Sequence, residues 1–162
     1  MSEVGAHRRE ELRLEVPRDT YYLATIRAAV RAAATRAGFD AEDAHRIQTA
    51  VDEACAVAIS DAAARASGER PALRERAQLL VVQVRYDRRK LSATVCDQGG
   101  HVDFGASLGG GEVGGPTDMP FLLISGFMDE VEFGEGEDGP EITLVKWRRR
   151  PGASSRLGRV DS

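Results

Sequence analysis

From Leu23 to Ala66 the apolar residues keep a helical spacing, broken only around Gly38. In the first segment Leu23, Ile26, Val30, Ala33 and Ala37 recur on one face, and Gly38 is placed to end the helix. Asp40 can cap the next helix, with Glu42 and Asp43 in its first turn, where the helix dipole favours negative charge. That second helix carries Ile47, Val51, Cys55, Ala58 and Ala62 on one face and runs out near Ala66-Ser67-Gly68. Two helices in direct succession argue against a chain of alternating βα units. They also need an apolar surface from elsewhere to cover them.

The rest of the sequence supplies that surface as strands. Leu12, Leu14 and Val16 alternate with Arg13 and Glu15, a half-buried strand ended by Pro17. Residues 67–76 are polar, contain Pro71 and read as a loop. Leu79 to Tyr86 is a strand, Asp87 to Lys90 a turn, and Leu91 to Cys96 its hairpin partner. Between Gln98 and Thr117 there are eight glycines in twenty residues, so this stretch is expected to be a mobile loop with no packed element. A short helix follows with Phe121, Leu122, Ile124 and Phe127 as its apolar members. Val131–Phe133 and Ile142–Trp147 read as two more strands around a turn from Glu135 to Pro140. Strands clustered after helices predict an α+β sandwich of two layers. The expected organisation is a flexible N-terminus over 1–10, one domain over 11–147 and a disordered basic tail over 148–162.

A chain of 162 residues can bury a core without disulfides or a structural metal. Cys55 and Cys96 lie inside apolar patterns and form no CxxC pair, so they are expected as buried free thiols in a reducing compartment. A net charge of −4 argues against direct nucleic-acid binding. No run approaches a membrane span, and Met1 to Arg9 lack the apolar stretch of a signal peptide. A cytoplasmic location is expected.

Two places invite chemistry. In Val51-Asp52-Glu53-Ala54-Cys55-Ala56-Val57, Glu53 lies about 200° around the helix from the apolar Val51, with Val57 one turn along Glu53's own face. Glu53 is either a solvated surface carboxylate or a functional one. Val57 is out of place on a polar side. In Thr94-Val95-Cys96-Asp97-Gln98-Gly99-Gly100 a strand runs into an Asp-x-Gly turn. Asp97 either caps its own turn or, with Gly99 permitting close approach, accepts a hydrogen bond from a base amino group.

In order and spacing, Arg27, Asp52-Glu53-Ala54-Cys55, Val95-Cys96-Asp97-Gln98-Gly99, Leu122 to Val131 (with Met128-Asp129-Glu130-Val131) and Gly139 to Lys146 resemble the RsbW and SpoIIAB anti-sigma factors. These are serine kinases of the GHKL ATPase superfamily. The resemblance spans roughly residues 11–147 and implies a two-layer Bergerat, or histidine-kinase-like ATPase, sandwich: a mixed sheet with helices on one face. It implies a general base at Glu53, adenine contacts at Asp97 and Gly99, an ATP lid over 105–118 and partner contacts at Arg27, which Arg31 extends by one turn. It also implies ATP and Mg²⁺ as cofactors, a sigma factor or anti-sigma-factor antagonist as partner, a homodimer and a role in bacterial transcription and stress control.

The departures from that pattern fall on the nucleotide side. The family's Mg²⁺-ligating Asn is Val57 here, which has no ligand atom. Asp61 stands where the family often has His. His101 ends the Asp-x-Gly-x-Gly turn, Pro120 replaces the glycine opening the last lid helix, and Pro140 replaces a threonine before the last strand. The expectation is a regulator that binds a sigma factor, an antagonist or both, with ATP and Mg²⁺ binding weak or lost. The alternative is an active ATP-dependent serine-protein kinase. A detached sensor-kinase module is a third reading, less favoured for want of a phospho-accepting histidine helix.

Overall fold

The computed structural model describes residues 8–66, 79–100, 102–108 and 118–149. Strand β1 (Glu10–Pro17) leads through a single 3-10 turn (Thr20–Tyr22) into helices α1 (Leu23–Arg36) and α2 (Ala41–Ala66). The hairpin β2 (Leu79–Tyr86) and β3 (Lys90–Gln98) follows, then α3 (Phe104–Ser107), α4 (Asp118–Phe127) and the hairpin β4 (Glu130–Gly136) and β5 (Gly139–Trp147).

The local signals act as expected. Helix α1 stops where Gly38 takes φ 91°, a conformation that disfavours a β-carbon. The Asp40 carboxylate accepts the Asp43 N–H at 2.8 Å and starts α2. Ile26, Val30, Ala33 and Ala34 of α1 meet Ile47, Ala50, Val51, Ala54, Cys55 and Ala58 of α2 in one core, where the many alanines let the two helices approach closely. Cys55 and Cys96 are both buried and free. Among the described residues no helix is long and apolar enough to cross a membrane.

The sheet order is β1-β2-β3-β5-β4. All four strand pairings are antiparallel, so the sheet is not mixed as the resemblance implied. The reason is topological. The α3–α4 crossover carries the chain past one sheet position, β4 lands on the edge running the same way as β3, and β5 returns between them, so no two parallel strands are neighbours. The two-layer α+β sandwich itself is as expected, with Leu80, Val82, Leu91, Ala93, Val95, Ile142 and Leu144 packed beneath the helices.

Three further expectations change. The glycine-rich stretch is packed at its start: Val102, Phe104 and Leu108 are core residues, and Asp103 caps α3 by accepting the Ala106 N–H at 2.9 Å. Three apolar side chains outweigh the entropic disadvantage of the glycines around them. Residues 109–117 lie outside the described residues. Strand β3 runs two residues further than expected, which puts Asp97 inside the strand. The C-terminal segment is docked at its first residue, since Arg148 donates to the Ala37 and Arg88 carbonyls, both at 3.3 Å. It thereby closes the open end of α1.

Candidate nucleotide site

Asp97 is 1% exposed. Register places it opposite Leu80, which is itself opposite Val16, so the three residues form one row across β3, β2 and β1 on the helix-facing side. Neighbouring strands lie about 4.8 Å apart, so the end of β1 is roughly 10 Å from Asp97. Arg18 leaves the end of β1 and spans that gap. Its guanidinium forms an ion pair with the Asp97 Oδ1, the two side chains being 6% and 2% exposed. The other carboxylate oxygen, Oδ2, accepts the Val102 N–H at 3.3 Å.

The turn around this carboxylate is tight. Gly100 lies against the Asp97 carboxylate with no room for a β-carbon. Gly99 donates its N–H to the Asp138 carbonyl at 3.1 Å, which ties the turn to the β4–β5 hairpin. Burial pushes the Arg18 guanidinium below its usual range, and the charge of Asp61 acts in the opposite sense. Ser107 Oγ of α3 lies 3.5 Å from Asp61 Oδ1, so Asp61 faces the same corner.

On α2, Glu53 is half-buried, and its side chain makes no hydrogen bond or ion pair among the described residues. Val57 is also partly buried and packs against the core. It offers only carbon at the position where the resemblance puts an oxygen ligand for Mg²⁺. Asp52 pairs with Arg27 at 3.1 Å, and burial holds its carboxyl above the usual range against the opposing effect of Arg27. Arg27 and Arg31 are both exposed on α1. A cavity of about 480 Å³ is lined by Gly100, Val102, Phe104, Phe133 and Pro140 among others, but not by Glu53, Val57 or Asp97. Pro120 falls in the first turn of α4, where its missing N–H disrupts no helical hydrogen bond. His101 lies outside the described residues.

The Met128-Asp129-Glu130-Val131 stretch is structural. Met128 is buried. Asp129 accepts the Trp147 N–H at 2.7 Å, and its own N–H donates to the Val145 carbonyl at 2.9 Å. Lys146, 5% exposed, donates to the Phe127 carbonyl at 2.8 Å and sits 3.7 Å from Asp129 and 4.0 Å from Asp43. A buried ammonium held this way joins the start of α2, the end of α4 and β5.

The signature of the histidine kinase-like ATPase domain matches residues 16–146. The chain belongs to this family. Comparison with curated proteins finds no match. Within this ATPase domain the strand carboxylate at Asp97 and the helix carboxylate at Glu53 are present. Val57 has no oxygen at the position where the resemblance puts the metal ligand, and the Asp97 carboxylate already carries Arg18 and the Val102 N–H. Sequence reasoning missed Arg18 and Asp52. Arg18 follows Pro17 at a strand end, but its link to Asp97 depends on strand register, which the sequence leaves open. Asp52 was visible only as a neighbour of Glu53.

Proposed function

We propose that this ATPase-domain protein is an anti-sigma-type regulator in the cytoplasm. It acts by binding a sigma factor, an anti-sigma-factor antagonist or both, as a homodimer, with ATP and Mg²⁺ binding weakened or lost. The observation that carries this reading is Val57, a partly buried side chain packed against the core where the resemblance puts the metal's oxygen ligand. Replacement of one polar donor by carbon removes coordination that Mg²⁺ demands. The core pattern around it is kept, which supports retention of the fold for binding.

One observation favours the kinase reading. Glu53 is half-buried and has no charged partner among the described residues, so it remains available to accept a serine hydroxyl proton. Calorimetric titration with ATP, with and without Mg²⁺, separates the two. The regulator reading expects weak or undetectable binding. A low-micromolar Kd that depends on Mg²⁺ overturns it. Pulldown from the native cell then identifies the partner.

A further inference from the structure

We infer that Arg18 is a built-in occupant of the base pocket, holding the Asp97 carboxylate closed against a nucleotide. The inference rests on the reading of Asp97 as the base-recognising residue. Arg18 comes from the link between β1 and the 3-10 turn, outside every motif that the resemblance matched.

The argument is one of competition for a buried carboxylate. Oδ1 of Asp97 carries the Arg18 guanidinium and Oδ2 the Val102 N–H. A base amino group is a neutral donor. Each oxygen keeps a further lone pair, but the side chain is 2% exposed with the guanidinium against it, so a base must push Arg18 aside to reach it, against a charge-assisted contact roughly twice as strong as a neutral one. Displacement also parts a guanidinium that stays protonated at any working pH from a carboxylate with almost no exposure to water. Asp61 adds a second negative charge that holds Arg18 in place. Gly100 crowds the carboxylate from the turn side, so Asp97 has little freedom to swing to another partner. This closure is independent of the metal position and acts even where Mg²⁺ plays no part.

The test is titration with ADP in the absence of Mg²⁺, on the unmodified chain, Arg18→Met and the double variant Arg18→Met with Asp97→Asn. Apparent affinity scales with the fraction of molecules whose site is open, so a site open less than about a tenth of the time gains about tenfold or more when the plug is removed. The expected result is that gain in Arg18→Met and its loss in the double variant. A folded Arg18→Met that binds ADP no better than the unmodified chain overturns the plug and leaves the regulator reading standing. A gain that persists without Asp97 also overturns it, because the base would then bind elsewhere. Tight binding by the unmodified chain overturns both the plug and the weak nucleotide binding proposed above. If Arg18→Met does not fold, Arg18→Leu is read in the same way, since it too has no donor for Asp97.

Discussion

A β-carbon at position 139 would meet the Asp97 carbonyl oxygen at 2.5 Å, on a backbone whose φ is 141°. Only glycine holds that conformation at ease. Gly139→Ala should therefore lower stability by about 2 kcal/mol, the middle of the range for such strained positions. Urea unfolding measures it, and a change within about 0.5 kcal/mol, as at ordinary surface positions, would show that the turn relaxes freely. Val57 poses a different question, because a lost ligand can be restored while a plug cannot be bypassed. Val57→Asn alone should leave nucleotide binding unchanged, since Arg18 still holds Asp97. Combined with Arg18→Met it should make ATP binding stronger with Mg²⁺ than without, as an oxygen ligand returns to the helix. Calorimetry with and without Mg²⁺ decides the point. A Mg²⁺-dependent gain in Val57→Asn alone would make the metal position the main defect.

At the scale of elements, β1 is held to its neighbours by carboxylates. Glu10 accepts from Arg36 at 2.7 Å and from the Tyr86 hydroxyl at 2.9 Å; Glu11 accepts from Arg85 at 2.9 Å and from Gln83 at 2.6 Å. These hydrogen bonds hold both carboxyls below their ordinary range. A depressed folded-state pKa gives stability that is present above the ordinary glutamate range and lost as pH falls through the folded value. The Tm of the unmodified chain should therefore fall on acidification, and Glu10→Gln with Glu11→Gln should flatten that limb. Superimposable Tm–pH curves would refute the assignment. How far elements were legible follows the same local physics. The Asp40 cap, the Gly38 stop and the β2–β3 hairpin were readable because each depends on a few adjacent residues. Helix α3 was not, because four residues beside glycines carry no period, and it is the burial of Phe104 in the core, with the Asp103 cap, that makes them a helix. The sheet pairing was set by where the α3–α4 crossover lands, and Arg18 by strand register. Neither is a local property. The candidate carboxylates Glu53 and Asp97 were visible in the sequence, but the groups that hold Asp97 were not.

For the molecule as a whole, the regulator reading separates two surfaces. The Asp97 corner closes on itself, whereas α1 presents Arg27 and Arg31 to solvent, and Tyr21 just before it is 79% exposed. Arg27 is not idle, since it pairs with Asp52, and a partner carboxylate must compete for it. The two side chains are 44% and 26% exposed, and such partly exposed pairs contribute about 0–1 kcal/mol. Arg27→Ala should thus change stability by no more than about 1 kcal/mol. It should weaken binding of the sigma factor or antagonist recovered by pulldown by about 2 kcal/mol or more, as arginine hot spots do. Asp97→Ala is a poor control, because it leaves Arg18 buried without that carboxylate and is itself destabilising. The double change Arg18→Met with Asp97→Asn removes both charges together and is the cleaner probe. If nucleotide plays no part in the complex, partner affinity should match that of the unmodified chain in this double variant and fall in Arg27→Ala. Titration of each variant against the partner, with unfolding curves to verify the fold, makes the comparison. Loss of binding in the double variant with a neutral Arg27→Ala would mean that the corner around Asp97, not the exposed face of α1, governs the complex.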